Sequence, residues 1–207
     1  GLVVLKRLED ALHDGDRVDA VIRGSAINHG GRGPSTTTPS REGIAEVTRR
    51  AVEAAGIHSG DVGYVECHGV ASPTADAIEI EALRSALPDA ACAIGSVKSS
   101  LGHLEWAAGI TALIKAALSV GHGVVAPSLH FDSFAPDVDP GQLHVPTRAE
   151  PWPRTGPRIA AVNSFGLGGA NAHMIVESWA PAADPTDRAA VPARFLLPVS
   201  ARSEPAL

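Results

Sequence analysis

At 207 residues, with 44% hydrophobic and 19% charged residues, the chain has the composition of a globular protein, and none of its apolar runs approaches the length of a membrane span. Its net charge of -6 without a long run of one sign argues against nucleic acid as the main partner. Two cysteines make no disulfide framework, no Cys/His cluster has metal-ligand spacing, and no signal peptide is visible, so the expected location is the cytoplasm.

The first residues, Gly1-Leu-Val-Val-Leu-Lys6, form an apolar run with no cap or turn before it. It reads as a strand begun partway, which predicts a fragment of a longer chain or a cleavage product. Leu8 to Leu12 predict a short helical turn, stopped at Asp14-Gly15-Asp16. Val18 to Ile27 alternates as a strand, and Gly30 to Pro39 is a Gly/Ser/Thr/Pro-rich loop. Ser40 is an N-cap for a helix over Arg41 to Ala55, with Ile44, Val47, Ala51 and Val52 on one face and Gly56 as the stop.

Val62 to Cys67 predicts a buried strand delivering His68, and Ser72-Pro73 opens a helix through Leu87. Cys92 to Val97 is a further strand, followed by a turn to His103. The helix from Glu105 to Val120 is apolar nearly all round, which requires burial on several sides. Val124 to Glu150 carries four prolines and reads as irregular; Arg158 to Phe165 and Asn171 to Trp179 are two strands joined through Gly166-Leu-Gly-Gly169. Beyond Trp179 an Ala/Pro/Asp-rich tract reads as a linker. Alternating strands and helices closed by a hairpin predict a mixed α/β sheet covered by helices. A single such layer leaves an apolar sheet face and an apolar helix unburied, so a partner half is expected.

Both His68 and His103 follow strands, and open α/β sheets place ligands at the carboxyl ends of their strands. Three motifs carry a family resemblance. Tyr64-Val-Glu-Cys-His-Gly69 with Asp76-Ala-Ile-Glu79 resembles the His-Gly-Thr-Gly-Thr region of β-ketoacyl synthases. Gly95-Ser-Val-Lys-Ser-Ser-Leu-Gly-His103 with Ala107-Ala-Gly109 resembles their second histidine motif. Asn163-Ser-Phe-Gly-Leu-Gly-Gly-Ala-Asn-Ala-His173 resembles their glycine-rich C-terminal loop, and Leu196-Leu-Pro-Val-Ser-Ala-Arg-Ser203 the start of the linker behind ketosynthase domains of modular polyketide synthases.

The resemblance implies the C-terminal half of a thiolase-like fold over residues 1–179 (a mixed five-stranded sheet with helices) and a post-ketosynthase linker over 180–207. An N-terminal half supplies the acyl-accepting cysteine, an acyl carrier protein presents substrates on its phosphopantetheine arm, no cofactor is bound tightly, and the complete domain forms a homodimer. The implied reaction is decarboxylative condensation. His68 and His103 hold the thioester oxygen of the malonyl unit, and Lys98 orients and tunes the site. Phe165 lends its backbone N–H to the acyl oxyanion and acts as a gate. Val70, Ser72, Gly166 and Gly168 contact substrate, while Asn171 and His173 tie down the glycine-rich turn. Strand alternation turns Cys67 away from the imidazole, as a small core residue like Cys92.

The chain departs from the pattern in His68-Gly-Val-Ala-Ser72, where Val70 and Ser72 stand for two threonines that bind the phosphopantetheine arm. The loop from Asn28 to Arg41 also differs from the family's usual Asn/Gly-rich form. Trp106 is bulky where a small residue is usual, either narrowing the pocket or filling core. These departures set an active condensing half against a divergent, non-extending domain that gates, modifies or scaffolds a carrier-bound chain.

Overall fold

A computed structural model describes residues 1–31 and 38–179. Five strands form one mixed sheet: β1 (Ala20–His29), β2 (Val62–Glu66), β3 (Ala93–Gly95), β6 (Ile159–Phe165) and β7 (Ala170–Ser178), in the order β1-β7-β6-β2-β3. Between β3 and β6 a two-residue ladder pairs β4 (Val124–Val125) with β5 (Glu150–Pro151) inside the segment expected to be irregular. β2 runs parallel to β3 and β6, whereas β7 is antiparallel to β6 and β1. The carboxyl ends of the three parallel strands therefore meet at one edge, where Glu66, Gly95 and Phe165 end their runs.

Residue alternation sorts the core onto two faces. Val65, Ala161 and Ile175 pack with Ile44, Ala51 and Leu83 from α2 (Arg41–Ala55) and α3 (Pro73–Ala86). Tyr64, Ala160, Val162 and Val176 pack with Ala112, Ala116 and Val120 from α5 (Ala108–His122). Both sheet faces are thus covered within this chain, contrary to the bare face expected from counting elements. The helix half of that expectation stands: α5 buries small residues against the sheet and leaves Leu118 exposed, with Ile110, Leu113 and Ile114 half-buried on its other sides.

Local chemistry sets the boundaries. The Ser40 hydroxyl accepts the Gly43 N–H at 3.1 Å, and Gly56 closes α2 in the left-handed region at φ 65°. Gly24 lets α2 approach β1 closely, since a Cβ there would lie 2.5 Å from the Ala55 nitrogen. Gly1 to Lys6 is not a strand: it lies in irregular conformation, with Gly1 against Ile114 and Ile110, and pairs with neither edge strand, β1 or β3. The following turn forms α1 (Leu8–His13). The strand expected over Cys92 to Val97 stops at Gly95, and Lys98 to Leu101 wind into one helical turn, α4 (Lys98–Leu101). There the Val97 N–H is taken by the Glu66 carboxylate at 2.6 Å instead of a ladder partner. The linker expectation for 180–207, like part of the Gly30 to Pro39 loop, lies outside the described residues.

Candidate active site

The strand edge brings together the three rings singled out in the sequence. His68 and His103 face each other edge-on, with ring centroids 5.7 Å apart and planes at 84°. The Phe165 ring centroid lies 5.3 Å from that of His68, the planes tilted by 48°. His103 is exposed and His68 half-buried, so the pair lines an open wall.

Each imidazole has Nδ1 occupied by a backbone donor. The Phe165 N–H donates to His68 Nδ1 at 3.3 Å, and the Glu105 N–H donates to His103 Nδ1 at 3.0 Å. A nitrogen accepting a hydrogen bond carries no proton, so each neutral ring holds its hydrogen on Nε2. Burial first, then the Lys98 charge and His103, lower the His68 pKa to about 4, which keeps this ring neutral near pH 7. The Glu105 amide reaches His103 because Glu105 sits in the left-handed region at φ 52°, strain of the kind found at functional sites. The Phe165 amide, expected to serve an acyl oxyanion, donates here to His68, because the end of β6 lies beside the end of β2.

Lys98 projects from the first residue of α4, and its Nζ donates to the His68 carbonyl at 2.5 Å. The loop after β2 is tied from the other side by α3. Glu79 Oε1 accepts the His68 N–H at 2.7 Å and Oε2 the Gly69 N–H at 3.0 Å, while Asp76 Oδ1 accepts the Val70 N–H at 3.1 Å. Asn163 donates to Glu79 Oε1 at 2.7 Å, and His173, its cross-strand partner, bonds Asn163 Oδ1 at 2.5 Å. Because the Asn163 amide faces Glu79, the His173 Nδ1–H is the donor; burial lowers its pKa to about 3, so the ring is neutral. Burial raises the Glu79 pKa against the backbone and side-chain donors that hold its charge.

Sequence reasoning gave Asp76, Glu79 and Asn163 no role. Their signals were spacing: Asp76 and Glu79 fall at i, i+3 on one helix face, and Asn163 opposes His173 across the hairpin. His29 was missed too: its ring lies beneath the hairpin tip, Nδ1 accepting the Gly31 N–H at 3.0 Å and Nε2 meeting the Gly168 carbonyl at 2.8 Å.

Neither cysteine is a nucleophile. Both are buried in the core, and burial pushes the Cys67 thiol well up and that of Cys92 to about 12. What the edge presents is a pair of oriented N–H donors beside a lysine, an arrangement suited to holding a developing oxyanion.

The β-ketoacyl synthase C-terminal domain family matches residues 19–132, and the ketoacyl-synthetase C-terminal extension matches 135–207. The chain belongs to the β-ketoacyl synthase family. A phenolphthiocerol/phthiocerol polyketide synthase of Mycobacterium tuberculosis is 47% identical over 182 residues, covering 86% of this chain and 12% of that protein. Erythronolide synthase EryA3 of Saccharopolyspora erythraea is 43% identical over 215 residues, covering 100% of this chain and 7% of that protein. Among solved structures, an oxazolomycin ketosynthase domain from Streptomyces albus superposes with TM-score 0.80 at 39% identity, over 85% of this chain and 33% of that one. The module 6 ketosynthase of the bacillaene synthase from Bacillus subtilis does so with TM-score 0.80 at 37% identity, over 84% and 33%. The ketosynthase chain thus spans about a third of the solved domains, and its mixed five-stranded sheet is part of their thiolase-like fold.

The other expected contacts of this ketosynthase chain are placed as follows. Val70 is half-buried, its amide on Asp76. The Ser72 hydroxyl caps α3, accepting the Ala75 N–H at 3.4 Å. The Gly166 N–H closes the hairpin on the Ala170 carbonyl at 2.7 Å, and the Gly168 carbonyl meets His29. Asn171, expected to tie down the turn's backbone, donates to the Asn28 side chain, at Oδ1, 3.0 Å away. Trp106, on the turn at Glu105–Ala107, does not fill the core of this chain: it is 100% exposed. No helix among the described residues is long and apolar enough to cross a membrane.

Proposed function

We propose that this chain supplies the malonyl-side wall of a polyketide ketosynthase active site. The observation that carries the reading is the pair of imidazoles whose Nδ1 atoms are both held by backbone amides, leaving two Nε2–H donors on one wall. A malonyl thioester enters on the phosphopantetheine arm of an acyl carrier protein. Its carboxylate leaves as carbon dioxide, and the electron pair of the broken C–C bond passes into the thioester as an enolate. His68 and His103 hold the enolate oxygen. The enolate carbon then attacks the acyl thioester on the cysteine of an N-terminal half, a new C–C bond forms, and the cysteine thiolate departs.

Phe165 guards the acyl side, and its long hydrogen bond to His68 leaves its amide able to share the acyl oxyanion. Lys98 holds the His68 loop, and Val70, Ser72, Gly166 and Gly168 border the entry. The exposed apolar residues Leu101, Leu104 and Trp106 beside His103 support an N-terminal half packing there. Residues 180–207 serve as the linker beyond the domain, and the complete domain works as a cytoplasmic homodimer.

Carbon dioxide release from a malonyl-loaded carrier by the assembled ketosynthase tests this reading. His68→Ala and His103→Ala are each expected to lower the rate about 10²–10³-fold. Release unaffected by both substitutions overturns it. A second reading, a non-extending domain that gates a carrier-bound chain, is favoured by Val70 and Ala71 in the loop after His68; acyl loading without carbon dioxide release selects it.

A further inference from the structure

Behind the His68 strand lies an ionic cluster around a fully buried carboxylate that the proposed chemistry does not use. Glu66 is two residues before His68 on β2 and has no exposed surface. Its Oε2 accepts from Lys115 Nζ at 2.8 Å and from the Tyr64 hydroxyl at 2.5 Å, while Oε1 accepts the Val97 N–H at 2.6 Å. Lys115 Nζ, on α5, also donates to the Tyr64 hydroxyl at 2.7 Å. A buried carboxylate of this kind needs a cation; Lys115 pairs with it directly, and Lys98 lies within its electrostatic reach. Lys98, one residue beyond Val97, is depressed by burial, and Glu66 supplies the largest opposing attraction. Yet its Nζ sits on the His68 carbonyl, outside the Glu66 cluster.

We infer that Lys115 is a positioning residue that occupies the Glu66 carboxylate, so that Lys98 stays committed to the His68 loop. Without Lys115, the unpaired buried carboxylate draws Lys98 inward and pulls its charge from the imidazole. Val97, bonded to Glu66 and adjoining Lys98, makes that move short. His68 is faced by Lys98 from α4, by His103, and by Glu79 and Asp76 from α3; of these only Lys98 changes partner. The catalytic consequence rests on the condensing reading above, while the change of partner does not.

The test uses the complete ketosynthase with 15N-labelled histidine. In Lys115→Met the His68 titration midpoint is expected to rise by about 1 unit as the cation withdraws. Decarboxylation kcat falls about tenfold with KM for the malonyl carrier changed less than about twofold. Glu66→Gln/Lys115→Met removes the competing carboxylate along with the cation, returning the midpoint to its wild-type value and kcat to within about threefold of wild type. A merely structural pair would leave the double variant as impaired as the single; that result, or an unmoved midpoint in Lys115→Met, overturns the inference. If Lys115→Met does not fold, Tyr64→Phe weakens the same cluster and shifts the midpoint in the same direction, and no shift overturns it. Wild-type protein that releases no carbon dioxide refutes the condensing reading, and the midpoints still decide the lock.

Discussion

The Phe165 backbone N–H donates to Nδ1 of His68, so one hydrogen bond sets the imidazole's tautomer and ties the hairpin tip to the loop after β2. Replacing His68 with Asn places an amide near the Nδ1 position and loses the Nε2–H. Replacing it with Gln reaches toward Nε2 and loses the bond to Phe165. Gln is therefore expected to retain more decarboxylation than Asn in the assembled ketosynthase, as one donor of this kind contributes about 10²–10³ in rate. Equal loss in both variants would show that the Nε2 side carries nothing.

His68 is expected to stay neutral until about pH 4, read by histidine 15N shifts. The sign for stability follows from linkage. Between pH 6.5 and about 4 the unfolded chain binds a proton that folded His68 refuses, so its contribution is complete above 6.5 and fades as pH falls to 4. Buried His173 extends the same trend to about pH 3. Glu79 and Asp76 act in the opposite sense, because burial raises their pKa values and the folded state takes up their protons first. A His68 midpoint near 6.5 would contradict the burial of the ring.

Glu79→Gln in the complete domain is expected to cost about 2–3 kcal/mol in denaturant unfolding. The carboxylate accepts from His68, Gly69 and Asn163 with both oxygens, and the Gln amide group necessarily turns an N–H toward another donor. A loss below about 0.5 kcal/mol would mean that the loop is held elsewhere.

Ala71 occupies the left-handed region at φ 59°, at the position of a family glycine. Ala71→Gly releases about 1–2 kcal/mol of strain against about 0.5–1 kcal/mol of added chain freedom, a net gain of roughly 0.5–1 kcal/mol. A raised thermal midpoint is the expected result, and a lowered one removes the strain argument.

Gly24→Ala is expected to destabilise by about 1–3 kcal/mol or more, since the new Cβ meets α2 backbone, 2.5 Å from the Ala55 nitrogen and 2.8 Å from the Ala51 oxygen, and no flexible side chain can yield. Unfolding midpoints of the two proteins check this directly.

Local chemistry was legible in the sequence: the Ser40 cap, the Gly56 stop, the buried strand from Val62 and His68 just beyond its end each follow from neighbours in the chain. The same local rules put Cys67 away from the pocket and in the core. They failed at Gly1 to Lys6, where a strand-like composition packs on α5 without joining the sheet, and at Val97, where a carboxylate 31 residues away captured the amide. The sequence by itself determined which groups could hold an oxyanion and where strands would deliver them. Only the tertiary structure decided which nitrogen of the His68 ring keeps its proton, because the Phe165 amide reaches it from 97 residues away. It alone also decided that Lys98 turns to His68 while Lys115 takes Glu66, because hydrogen bonds and buried charges choose partners by distance in space, and spacing along the chain does not encode that distance.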